Sequence, residues 1–89
     1  MSETSSVDGK KPVIVYSTDW CAYCKMVKQY LTNKNVAWVE KNIEKDAEAH
    51  KELMEKLGGN FRGVPVVDID NTIIFGFDRP RIDAALRQN

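Results

Sequence analysis

The stretch Val13-Ile14-Val15-Tyr16-Ser17-Thr18-Asp19-Trp20-Cys21-Ala22-Tyr23-Cys24 decides how this chain is read. It joins an unbroken apolar run to the chain's only two cysteines. The run over 13–17 is strand-like, and its lack of alternation argues for burial on both faces and a central place in a sheet. From Cys21 onward the periodicity turns helical. A cysteine at the start of a helix lies over amides that have no intrahelical acceptor, and the positive end of the helix dipole favours its thiolate. Thiol pKa values fall from about 8.5 to roughly 3.5–7.5 in such settings, and the thiolate is the reactive form. Cys24, one helical turn on, is close enough to close a small disulfide with Cys21. Two cysteines also suit half of a zinc site or a plain buried pair. Zinc takes four ligands, and His50 is the only other soft candidate, so a closed site within one chain would need a carboxylate or a second chain. A C-x-x-C beside a strand–helix–strand pattern reads instead as a redox dithiol.

Working outward, residues 1–11 are polar and read as a mobile tail, with 12–89 as one domain. The helix expected over 21–33 carries Tyr23, Met26, Val27, Tyr30 and Leu31 at helical spacing, a core-facing stripe. A second strand follows over 36–42, and strand, helix, strand at this spacing makes a right-handed unit with parallel strands. A second helix over 46–57 has acidic residues in its first turn, as the dipole prefers, and a stripe of His50, Leu53, Met54 and Leu57. His50 reads there as a packing residue rather than a base. Gly58-Gly59 ends that helix. Two β-rich runs, Val64-Pro65-Val66-Val67 and Thr72 to Phe75, flank a short Asp/Asn segment and make an antiparallel hairpin. Asp78 caps a last helix with Pro80 in its first turn and Ile82, Ala85 and Leu86 facing inward. The order β-α-β-α-β-β-α gives an α/β fold, a four-stranded mixed sheet flanked by three helices.

Thirteen basic and thirteen acidic residues cancel, which points away from nucleic acid and anionic membranes as partners. No apolar stretch approaches a membrane span, and the N-terminus lacks the apolar core of a secretory signal. Two cysteines in one C-x-x-C, rather than a spread framework, suit a reducing cytoplasm.

The element order, with Trp20-Cys21-Ala22-Tyr23-Cys24 after the first strand and Gly63-Val64-Pro65 before the third, resembles the glutaredoxin branch of the thioredoxin fold. Small bacterial glutaredoxin-like proteins with a GVPV segment and a GFDRP-type segment, here Gly76-Phe77-Asp78-Arg79-Pro80, are the most similar. The resemblance implies a nucleophilic, exposed Cys21 that attacks a substrate disulfide, and a resolving Cys24 that releases the product. It implies a cis Val64-Pro65 bond facing Cys21, with the Val64 backbone free to pair with an extended substrate. Some glutathione determinants of the family are replaced. Thr18 stands where a Lys or Arg is common, and Gly63 where Thr is common. Arg62, Lys51 and Asp78 are the remaining candidates for glutathione contacts. Trp20 directly before Cys21 looks more like thioredoxin, where the indole flanks the site, and Tyr23 would line the groove. Asp19 stands close enough to oppose the helix dipole at Cys21.

The resemblance therefore implies a thiol–disulfide oxidoreductase, monomeric and without a bound organic cofactor. Its substrates would be disulfide-containing proteins or small-thiol mixed disulfides. Its electron donor would be glutathione, another small thiol or a flavoprotein such as thioredoxin reductase. Ala22 replaces the proline common at that position, and family members without it include ones that hold a [2Fe–2S] cluster shared between two chains with glutathione. That is the alternative reading.

Overall fold

The computed structural model describes residues 12–88, so the tail expected over 1–11 lies outside the described residues. Seven elements follow in the expected order: β1 Val13–Ser17, α1 Ala22–Asn33, β2 Trp38–Asn42, α2 Ala47–Leu57, β3 Val66–Ile69, β4 Thr72–Phe75 and α3 Arg79–Gln88. They build a thioredoxin-like sheet in the order β2-β1-β3-β4. β1 runs parallel to β2, from Val13↔Trp38 to Ser17↔Asn42, and antiparallel to β3, with Tyr16 opposite Val66. β3 and β4 form the hairpin, whose turn residues Asp70 and Asn71 both take positive φ (50° and 71°). Asn and Asp tolerate that conformation better than other non-glycine residues, which is why this short segment reverses the chain so tightly.

The alternation of β1 separates two apolar layers. Val13 and Val15 pack with Val67, Ile69 and Ile74 under α1 and α3, against Val27, Leu31, Ile82 and Ala85. Tyr16 and Val66 face the other way, onto Ala49, Leu53 and Leu57 of α2. Burial on both faces is what the continuous apolar run required.

Two helical stripes differ from expectation. In α1 the buried residues are Cys24, Val27 and Leu31, while Tyr23 and Met26 are exposed (61% and 44%). The buried line starts from Cys24, and the aromatic next to it is turned outward. In α2, Ala49 holds the place given to His50, and His50 is exposed. A small side chain lets the first turn of α2 approach the sheet closely, where an imidazole would hold it off. Asp46 caps α2 by accepting from the amides of Glu48 and Ala49, and Gly58 closes it in the left-handed conformation at φ 60°.

A polar network crosses the α2 layer. Asp68, 4% exposed on β3, accepts from Lys56 Nζ at 2.6 Å and from the Asn71 amide at 2.8 Å. Lys56 also donates to the Tyr16 hydroxyl at 2.6 Å, Tyr16 donates to Glu52, and Lys41 donates to Glu52 at 2.9 Å. Each buried polar atom in this run has a partner, as burial demands.

Candidate active site

The site forms where β1 ends and α1 begins. Cys21 is the N-cap of α1, with extended backbone (φ −89°, ψ 110°), and its Sγ accepts the Cys24 amide at 3.0 Å. Sulfur here takes the place of the side-chain oxygen that usually caps a helix. A thiolate at the same spot would receive that N–H and the positive end of α1 together, and both favour the charged form. Cys21 and Cys24 are joined as a disulfide, with Cα atoms 5.3 Å apart, inside the ordinary range for such a bond.

The expected exposure of Cys21 needs correcting. It is 5% accessible and Cys24 is 0% accessible. What accessible surface the pair has belongs to Cys21, because Cys24 lies fully buried on the Val27–Leu31 stripe. Flanking aromatics supply the accessible surface, with Trp20 71% and Tyr23 61% exposed. The Trp20 indole N–H donates to Glu44 at 2.9 Å, which ties the ring to the segment after β2.

Asp19 is already engaged elsewhere. It accepts from Asn42 at 2.8 Å and meets Lys45 Nζ at 2.9 Å, and the Lys45 hydrogen bond holds its carboxyl below the usual carboxylate range. Its charge next to Cys21 is thereby countered by a cation. Thr18 is 5% exposed, and its hydroxyl has no hydrogen-bond partner.

The Val64-Pro65 peptide is cis. Extending the β1–β3 register past Tyr16↔Val66 brings Pro65 level with Ser17 and Val64 level with Thr18, the end of the sheet that carries Cys21. Pro65 is buried, has no N–H to continue the ladder, and accepts the Gly76 amide at 2.9 Å through its carbonyl. Gly63 takes φ 108°, a conformation closed to the threonine common at that position in the family.

Of the remaining predicted residues, Arg62 and Asp78 come together and Lys51 stands apart. Arg62 stacks over the Phe75 ring at 5.0 Å and shares a shallow pocket of about 280 Å³ with Asp78 and Arg81. Asp78 caps α3 by accepting from the Arg81 amide at 3.3 Å, and meets the Arg81 guanidinium at 3.2 Å. Lys51 lies on α2 beside Glu48, Glu52 and Glu55, away from both. Among the described residues no three His, Cys, Asp or Glu side chains group as a metal site, so a cluster would draw ligands from outside one chain.

Sequence reading missed a polar group under α1. The Ser17 hydroxyl, fully buried, donates to Glu40 Oε2 at 2.5 Å, and Lys28 Nζ meets the same oxygen at 2.9 Å. A serine closing an apolar strand was the available signal.

The glutaredoxin family model matches residues 13–74. This chain belongs to the glutaredoxin family. It is 39% identical over 74 residues to a glutaredoxin-like 8.6 kDa protein of the rubredoxin operon of Clostridium pasteurianum, covering 83% of this chain and 96% of that one. Glutaredoxin-like protein NrdH of Lactococcus lactis is 37% identical over 65 residues, 73% of this chain and 86% of the relative. Among solved structures, a mutant of the thioredoxin-like protein BC3987 superposes with a TM-score of 0.78 at 30% identity, covering 89% of this chain and 99% of that one. The chain is thus a glutaredoxin- and NrdH-like member of a thiol oxidoreductase family, with Cys21 and Cys24 at disulfide distance.

Proposed function

We propose that this protein reduces protein disulfides or small-thiol mixed disulfides through Cys21 and Cys24, as a cytoplasmic monomer with no bound organic cofactor. The observation that carries the reading is the N-cap position of Cys21, whose sulfur accepts the Cys24 amide one turn from a fully buried partner thiol. In the reduced protein the Cys21 thiolate attacks one sulfur of the substrate. The substrate S–S bond breaks, a Cys21–substrate bond forms, and the first product thiolate takes a proton from water. Cys24 then attacks Cys21 Sγ, closing the intramolecular disulfide and releasing the second thiol. Two electrons pass from the dithiol to the substrate, and a donor restores them. Val64 offers its backbone to an extended substrate strand, and Trp20 and Tyr23 give apolar contact around the sulfur.

The donor that best suits this site is a flavoprotein of the thioredoxin-reductase type rather than glutathione. Arg62 is stacked on Phe75, Asp78 is committed to Arg81 and the α3 cap, Lys51 sits in an acidic patch, and Thr18 supplies no cation. The exposed Trp20 and Tyr23 instead form a surface for a protein partner. A coupled NADPH-oxidation assay tests this, comparing thioredoxin reductase with glutathione plus glutathione reductase on an insulin-type disulfide. Turnover with thioredoxin reductase and little with glutathione is expected. Turnover with glutathione alone would assign Arg62, Asp78 and Lys51 to glutathione after all.

A further inference from the structure

Among the described residues Trp20 is the most exposed large apolar side chain, and it stands directly before Cys21. A ring so open to water would be free to turn, and each partner that covered it would have to order it first. Here the ring is held. Its Nε1–H donates to Glu44 at 2.9 Å, and Glu44 is fixed in turn by the segment that follows β2. Asn42 ends β2 opposite Ser17, and the Ile43 amide carries the ladder one step further by donating to the Ser17 carbonyl at 3.0 Å. The Asn42 Oδ1 accepts from the amides of Glu44 and Lys45 at 2.9 and 3.1 Å, and its backbone carbonyl accepts from the Asp46 amide at 2.9 Å. From the other end of the same side chain, Nδ2 donates to Asp19 at 2.8 Å, and Lys45 meets Asp19 at 2.9 Å. Residues 18–20 and 42–45 thus leave the sheet side by side, tied at Asp19 and again at Trp20. Asn42 takes part at both ends. These ties lie on the surface, with the Asp19 and Lys45 side chains 59% and 71% accessible, where such contacts add little to stability.

We infer that Asn42 and Glu44 are positioning residues that hold the Trp20 ring as a fixed lip next to Cys21, and so set a preference for protein disulfides over small ones. This selection rests on the disulfide reduction proposed above and adds to it two residues outside the dithiol that choose the substrate class. A protein disulfide arrives with surrounding surface that spreads over the ring. A small disulfide reaches Cys21 without covering it. Only the first gains from a ring ordered in advance, and a rigid exposed tryptophan is the kind of side chain on which binding energy concentrates. Glu44 acts through the position of its acceptor oxygen on the indole N–H, and Asn42 through the turn that presents Glu44 and through its bond to Asp19. Neither touches the reacting sulfurs, so the attack by Cys21 on a small disulfide is indifferent to both.

The test mixes the pre-reduced full-length protein with oxidised insulin and, separately, with dithionitrobenzoate, and compares the second-order rate constants, so that no electron donor is needed. Glu44→Ala and Asn42→Ala are expected to slow the insulin reaction about 2- to 12-fold, the cost of ordering one side chain on binding. Their rates with dithionitrobenzoate should stay within about twofold of wild type, which also shows that the site is folded. Nitrogen NMR relaxation of the Trp20 indole N–H, assigned by its loss in Trp20→Phe, should report a looser ring in both variants. Glu44→Gln keeps an acceptor oxygen at the same reach and should match wild type on both substrates and in ring order. Insulin rates at wild-type speed in either alanine variant would overturn the role of that residue. Equal slowing on both substrates would overturn it too, since that marks a change at Cys21 itself. So would Glu44→Gln as slow as Glu44→Ala, since that marks the charge and not the tie to the ring. A wild-type protein that reduces neither disulfide would overturn instead the disulfide reduction on which the selection rests.

Discussion

Replacing Lys56 by Met strands a buried carboxylate, and its cost follows from the network around Asp68. Asp68 is 4% exposed, and its charge is met by Lys56 at 2.6 Å, with the Asn71 amide at 2.8 Å as a further donor. Removing one member of a buried ion pair costs about 3–5 kcal/mol, chiefly because the other charge is left unpaired. Lys56 is itself 27% accessible, so water replaces part of what is lost, and the expected cost is about 2–4 kcal/mol. The same substitution also leaves the Tyr16 hydroxyl without the Lys56 donor. Urea unfolding of the oxidised protein measures this as a fall in midpoint at unchanged slope. Lys45→Met, which removes an exposed partner of Asp19, should leave the midpoint nearly where it was. Pairing Lys56→Met with Asp68→Leu should recover much of the loss, since an apolar pair of similar volume replaces a buried ion pair at little net cost. A Lys56→Met protein as stable as Lys45→Met would refute the reasoning.

The same network makes the protein sensitive to alkali. Burial, then the bond to Glu52, pushes the Tyr16 hydroxyl up to about 12, and the hydrogen bonds that Lys56 donates to Asp68 and Tyr16 outweigh burial to raise Lys56 as well. Both groups hold their protons longer folded than unfolded, so their stabilisation is complete below about pH 10 and is lost as pH climbs toward 12, about 2–3 kcal/mol for Tyr16 alone. Urea midpoints measured across that window should fall in the wild type and fall less in Tyr16→Phe. Trp20→Ala should lower kcat/KM for a protein reductase or protein disulfide roughly 5–30-fold, with little change toward dithionitrobenzoate, because the exposed indole contributes contact area and not chemistry. His50→Ala should change stability by less than about 0.5 kcal/mol and leave turnover unchanged, as befits an exposed side chain on α2.

Element order was legible because each signal was local. Four apolar residues in a row announced β1, Gly58-Gly59 stopped α2, and the Asp68–Asn71 segment marked the hairpin, although Asp68 and Ile69 belong to β3 and only Asp70 and Asn71 make the turn. The helix faces were less so. Tyr23 and Ala49 show why: side-chain hydrophobicity ranks Tyr23 and His50 as packers, but the tightness of the α1 and α2 contacts selects Cys24 and Ala49. Polar pairs joined across 12 to 23 residues of sequence, Lys56 with Asp68 and Ser17 with Glu40, leave no periodic trace. Both depend on which strands become neighbours. The cysteine pair was the clearest part of the site, since C-x-x-C at a helix start carries its own geometry. The glutathione candidates were read one residue at a time, and while Arg62 and Asp78 share one shallow pocket with Arg81, Lys51 lies apart among the acidic residues of α2.

Trapping with Cys24→Ser tests the central claim most directly. The reduced variant, incubated with a protein disulfide and quenched with acid, should accumulate one covalent adduct by intact-mass analysis, attached at Cys21 by peptide mapping. Wild type should turn the same substrate over without accumulating it, and Cys21→Ser should do neither. An adduct mapping elsewhere, or disulfide reduction that persists in Cys21→Ser, would contradict the assignment of Cys21 as nucleophile and Cys24 as resolving thiol.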